Sequence, residues 1–155
     1  YYQVNYDWEN WARLSAVLNS DKFHEIHVIN RAQIIYDLIN YIRSDQRYID
    51  LTFDTITYLH RETNYLPWSR LCRAMDNMVA SFQNSPSFDV FKRFMLYLMN
   101  GIVNHIGLDD KLDDDHLTRI ARSELLPRAC LFGHQGCLDR APIKMMEVFS
   151  GKTKK

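Results

Sequence analysis

Glycine and proline are scarce in this chain: five and four of 155 residues, about half the usual combined share. A turn-rich β-sandwich, a collagen-like chain and a disordered linker are thereby excluded. Net charge is absent as well, with 19 Lys plus Arg against 19 Asp plus Glu. A general nucleic-acid binder needs a basic face, so no nucleic-acid partner is expected. No uncharged apolar run is long enough for a transmembrane helix, and no basic-then-apolar leader opens the sequence. The chain starts in mid-pattern without methionine, so a fragment or processed product is expected. It has no glycine-rich phosphate loop, and no serine or cysteine carries a local nucleophile motif. On its residues alone the chain is not an enzyme. What it does hold is 46% apolar residues, enough to bury the core of one ordinary domain.

The apolar residues recur with two periods. Tyr2, Val4 and Tyr6 alternate with Gln3 and Asn5, which is strand periodicity. A lone strand needs partners, so this stretch reads as the end of a sheet lying outside the chain. Everything after Asp7 follows helical spacing. Asp7 can cap a first helix that carries Trp8, Trp11, Leu14 and Leu18 and ends at Asn19 to Asp21. A second begins near Asn30 with Ile34, Ile35, Leu38, Ile39 and Ile42. A third covers Ile49 to Arg61 with Phe53, Ile56 and Leu59 inward. A fourth opens at Pro67, which suits a first turn because it lacks the amide that would go unpaired there; Leu71, Met75, Met78, Val79 and Phe82 form its stripe. Ser87 caps a fifth, running through Phe91, Met95, Leu98, Ile102 and Ile106. A sixth carries Leu117, Ile120, Ala121 and Leu125 toward Pro127, and a seventh spans Cys137 to Phe149. Pro127 and Pro142 predict a kink or break. Residues 151–155 read as a frayed basic tail. The fold expected is all-α, of stacked antiparallel helical hairpins like a HEAT-type α-solenoid, with a short N-terminal strand remnant.

Few residues suggest chemistry. His24, Glu25 and His27 imitate a zinc-protease signature, but the histidines stand three apart rather than four, so they miss a common helix face; a solvated loop is expected. Asp109 to Asp115 lacks the alternating acids, central glycine and final glutamate of a calcium loop, and is read as a solvated acidic loop capping the sixth helix. Cys130 and Cys137 bracket a short segment with two glycines. A disulfide there is geometrically reasonable, whereas zinc would need four ligands and only His134 lies near. Cys72 reads as a small buried core residue. Arg31, Arg43, Arg47, Arg70 and Arg73 include candidates for facing a groove.

Several segments together resemble one family. Tyr1 to Asp7 followed by Asn10-Trp11 is similar to the junction after the β-sandwich domain of aminopeptidase N-like zinc aminopeptidases, a gluzincin family. Asn30-Arg31-Ala32-Gln33-Ile34-Ile35 resembles the second helix of their C-terminal helical domain. Tyr65-Leu66-Pro67-Trp68 resembles the start of a later helix, and Ala129-Cys130, Gly133 and Cys137 its small disulfide loop. Each match is weak alone; the four in order span nearly the whole chain. Gln3 departs from the family, where arginine is common, and Pro127 and Pro142 interrupt segments that are usually cleaner helices.

The resemblance implies that residues 1–6 end a β-sandwich domain and residues 7–150 form about the first half of the helical domain. Asn5, Tyr6, Asp7, Trp11, Asn30, Arg31, Gln33, Pro67 and Trp68 would be its structural motif residues, Arg31, Arg70 and Arg73 would face the chamber, and Cys130 and Cys137 would be bonded. The parent would remove N-terminal residues from peptides, using zinc and a glycine-methionine-glutamate-asparagine motif that both lie upstream; no catalytic or metal residue and no cofactor falls in this chain. The helical domain would wall a chamber over the catalytic domain, touch peptide substrates and, in some members, mediate a homodimer. An extracellular, membrane-anchored or secretory-pathway setting is expected. The rival reading is a free-standing HEAT-like protein-interaction scaffold, which has no need of an N-terminal strand.

Overall fold

A computed structural model describes residues 3–42 and 45–151. Tyr1 and Tyr2 of the expected strand, Arg43, and residues 152–155 of the expected tail lie outside the described residues. The chain is all-α, and the described residues form seven helices: α1 Trp8–Leu18, α2 Val28–Ile42, α3 Tyr48–Ile56, α4 Tyr65–Phe82, α5 Phe88–Ile106, α6 His116–Phe132 and α7 Gln135–Phe149. Two 3₁₀ turns, Phe23–Glu25 and Thr57–Arg61, sit between them.

The strand is not formed. Residues 3–7 have no regular secondary structure, and no strand occurs among the described residues, because a strand exists only through the ladder it makes with a neighbour. Side chains fix the stretch instead. Asn5 Oδ1 accepts hydrogen bonds from Trp11 Nε1 at 3.3 Å and Tyr48 OH at 3.1 Å. The Tyr6 ring meets Trp11 edge-on at 5.0 Å.

Caps explain most boundaries. Asp7, Asn64, Asp115 and His134 each accept an amide of the first turn that follows, satisfying donors that no helical carbonyl can reach. Gly107 and Gly133 follow α5 and α6 with φ of 68° and 98°, a backbone conformation that favours glycine. Four expectations are corrected. The Asn64 cap starts α4 at Tyr65, so Pro67 is its third residue, still where no helical amide bond is lost. Ser87 makes no side-chain capping bond. The third helix tightens to 3₁₀ geometry after Ile56. Pro127 and Pro142 do not break α6 or α7; both are exposed, so water can reach the carbonyl each leaves unpaired.

The helices stack in two rows. In one, α1 packs on α3, and the 3₁₀ turn Thr57–Arg61 packs on α5; in the other, α2 packs on α4 and α4 on α6. Contacts of α2 with α3 and of α5 with α6 join the rows, and α7 packs on α6. Trp11, Ile35, Tyr58, Trp68, Met75 and Leu98 are fully buried between them. Gly101 lies where α5 crosses the second 3₁₀ turn: a methyl there would stand 2.3 Å from the His60 carbonyl oxygen, so the crossing requires glycine. At the far end, Ile143, Met145, Met146, Val148 and Phe149 of α7 are exposed.

Candidate functional site

Helices α4 and α6 bound a polar cleft of about 520 Å³, lined by Tyr65, Ser69, Arg70, Cys72, Arg73, Asp76, Ser123, Glu124 and Arg128. Arg128 is fixed there by two bonds to Asp76, at 2.9 and 2.6 Å, and by the Glu124 carbonyl, a fork geometry suited to a carboxylate. Burial pushes the Tyr65 hydroxyl up, helped by its hydrogen bond to Glu124. Burial likewise pushes the Cys72 thiol up to about 12, so Cys72 is an inert core thiol at neutral pH. Arg70 and Arg73 are exposed. Arg70 lies 5.6 Å from the Tyr36 ring centroid, and neither arginine has a carboxylate partner among the described residues. The cleft therefore offers two guanidinium groups with no carboxylate partner among the described residues, beside hydroxyls, a surface chemically suited to carboxylates and peptide carbonyls.

Arg31 does not join them. It is 8% exposed, and its guanidinium is consumed by Glu62 (Nε to Oε2 2.6 Å, Nη2 to Oε1 3.2 Å) and by the Ile26 carbonyl at 2.6 Å. A buried arginine must satisfy its donors inside the protein, so the chamber-facing expectation fails for this residue. Glu62 also accepts the Asn64 amide through Oε1 and the Trp68 indole N–H through its carbonyl at 2.9 Å. Arg31 and Trp68 thus meet at one node that ties α2 to α4. Pro67 is buried beside it, and Asn30 and Gln33 line a separate groove.

The acidic loop differs from its expectation. Rather than being merely solvated, it holds cations. Asp114 and Asp110 bind the buried Arg122, whose remaining donors reach the carbonyls of Ile106 and Gly107 at the end of α5. Hydrogen bonding to Arg122 holds the Asp114 carboxyl down at about 2. Its contribution to stability is present above the ordinary carboxylate range and lost as pH falls through about 2. Asp109 binds Arg140 and Lys144. Arg122 carried no sequence signal.

Residues 1–154 match the model of the ERAP1-like C-terminal domain. The chain belongs to this family. It is 34% identical over 141 residues to an aminopeptidase N of Plutella xylostella, covering 91% of this chain and 15% of that protein. It is 33% identical over 105 residues to the aminopeptidase N of Oryctolagus cuniculus, covering 68% and 11%. Human glutamyl aminopeptidase is 25% identical over 142 residues, covering 91% and 14%. The chain spans a small fraction of the length of these relatives.

This ERAP1-like domain carries one disulfide: Cys130 and Cys137 are bonded, with Cα atoms 5.3 Å apart, and Cys72 is free and buried. The bond joins the end of α6 to the first turns of α7. In the chain-entropy account so short a loop contributes about 2–3 kcal/mol. Alkylation of the denatured chain without reduction is expected to modify one cysteine by mass spectrometry; three modified cysteines would refute the bond. The zinc-like triplet does not fit a metal. His24 and Glu25 lie exposed in a 3₁₀ turn, and the His27 ring accepts the Ile29 amide. Among the described residues no group of three or more His, Cys, Asp or Glu is placed to hold an ion. No helix among them is long and apolar enough to cross a membrane.

Proposed function

We propose that this chain is the non-catalytic helical part of a zinc aminopeptidase, walling the substrate chamber beside a catalytic domain that holds the zinc. The match of residues 1–154 to the family, together with relatives named as aminopeptidases, carries this reading. Its partners are the catalytic and β-sandwich domains of the parent and the peptides that enter between them. Arg70 and Arg73 serve as the chamber-facing residues: their guanidinium groups are exposed in the α4–α6 cleft and free to meet carboxylate or carbonyl oxygens of a peptide. The exposed apolar end of α7 is left for a further helix of the domain or for a second copy. A disulfide fits an extracellular or secretory-pathway setting.

The test is made on the full-length parent. Arg70→Ala with Arg73→Ala is expected to lower kcat/KM for long peptides roughly fivefold or more, while turnover of a single-residue chromogenic amide stays unchanged. Equal rates on both substrates, or an equal loss on both, would overturn the chamber role. Absence of an upstream zinc motif from the parent's reading frame would overturn the parentage.

A further inference from the structure

A second concavity lies between the N-terminal stretch, α1 and α2. It is a groove of about 580 Å³ whose walls are mainly apolar, contributed by Val4, Tyr6, Leu14 and Ile29 among others. Ile29 is 60% exposed and Tyr6 is exposed at the rim, so the groove opens to solvent along apolar edges. One wall residue does not belong to such a surface. Asp37 is 1% exposed, yet it lines the groove.

The partners of Asp37 are neutral. Gln33 Nε2 donates to Oδ1 at 2.8 Å, and the Val4 amide supplies a second bond. No lysine, arginine or histidine pairs with it among the described residues, although the other buried acid, Glu62, has Arg31. A carboxylate withdrawn from water and offered only neutral donors is costly to keep ionised; accordingly, burial pushes the Asp37 carboxyl up. A cation entering the groove would relieve that cost in a site already shielded from solvent, the setting in which charge pairs contribute most to binding.

We propose that this groove docks a protein segment carrying one arginine or lysine side chain between apolar residues, with the cation paired to Asp37. Asp37 offers no positive charge to a phosphate or carboxylate ligand. A single carboxylate is too small a ligand set for calcium or magnesium. The apolar rim at Tyr6 and Ile29 favours a segment with aliphatic flanks over a small free amine. The inference stands independently of the aminopeptidase reading, because it uses only the groove and a buried acid with no cationic partner among the described residues.

The test is a titration of the 155-residue chain followed by NMR at the Val4 amide and the Gln33 side-chain amide. The probes are n-propylguanidinium, n-propylurea, and a capped peptide with a central arginine between valine and isoleucine, alongside its citrulline counterpart. Both guanidinium probes are expected to shift these signals, and the neutral probes to leave them in place. The arginine peptide should bind about tenfold more tightly than the fragment, and Asp37→Asn should weaken it by about tenfold. Equal shifts from the citrulline peptide, silence at Val4 and Gln33, or unchanged binding by the variant would overturn the proposal. A fragment that binds as well as the peptide would overturn it too, making the groove a small-amine site. The citrulline comparison needs no variant, so it decides even if Asp37→Asn fails to fold.

Discussion

Arg31→Met should destabilise the chain by about 3–5 kcal/mol, measured as a fall in the urea midpoint with an unchanged slope. Methionine preserves much of the packing of the arginine stem, so the loss isolates the charge. What remains is Glu62, with its side chain 3% exposed and only the Asn64 amide on its carboxylate. The Ile26 carbonyl also loses its donor. The penalty is that of an orphaned buried charge rather than the net worth of the pair. Arg31→Met combined with Glu62→Gln should therefore be more stable than Arg31→Met alone, a non-additivity expected of contacting residues. A loss below about 1 kcal/mol for the single variant would show that water reaches Glu62 and that the node is not a dry one.

Trp68→Ala is expected to cost a similar amount, about 3–5 kcal/mol, which for a domain of this size lowers Tm by roughly 10 °C or more. Trp68 is fully buried, and its indole N–H satisfies the Glu62 carbonyl. Two terms are combined here, the cavity left by the ring and the unpaired carbonyl. Trp68→Phe separates them, since it keeps most of the ring volume and removes the donor; a loss of about 1–2 kcal/mol is expected from the carbonyl alone. Should Trp68→Phe prove as damaging as Trp68→Ala, the hydrogen bond rather than the packing would dominate. Should both be nearly neutral, Trp68 would not be the core residue described.

The helices were legible because their signals are local. Asp7 caps α1, and the stripe from Ile34 through Leu38 faces the core, as spacing along one helix predicts. Boundaries that depend on geometry beyond the helix were misread. The cap at Asn64 outranks the proline signal at Pro67, and the tightening after Ile56 accompanies the crossing at Gly101. The site was less legible than the fold. A lone arginine in a sequence does not declare whether an acid awaits it: Arg31 finds Glu62 31 residues away and is buried, while Arg70 and Arg73 find none among the described residues and stay exposed. Asp37 drew no reading from the sequence: helical spacing places Gln33 beside it, but its second partner, the Val4 amide, comes from outside the helix.

The two-row stacking bears on how the chain acquires its structure. The principal partners of each helix stand one or two helices away in sequence, so loops closed during assembly are short and their entropic cost grows little from one end to the other. No step requires the N- and C-terminal helices to meet. Helices α1 to α3 can gather as they leave the ribosome, α4 can then lay itself on α2, and each later arrival finds its docking surface already built. Arg122 closes one such junction: emerging after α5, it reaches back to the carbonyls of Ile106 and Gly107.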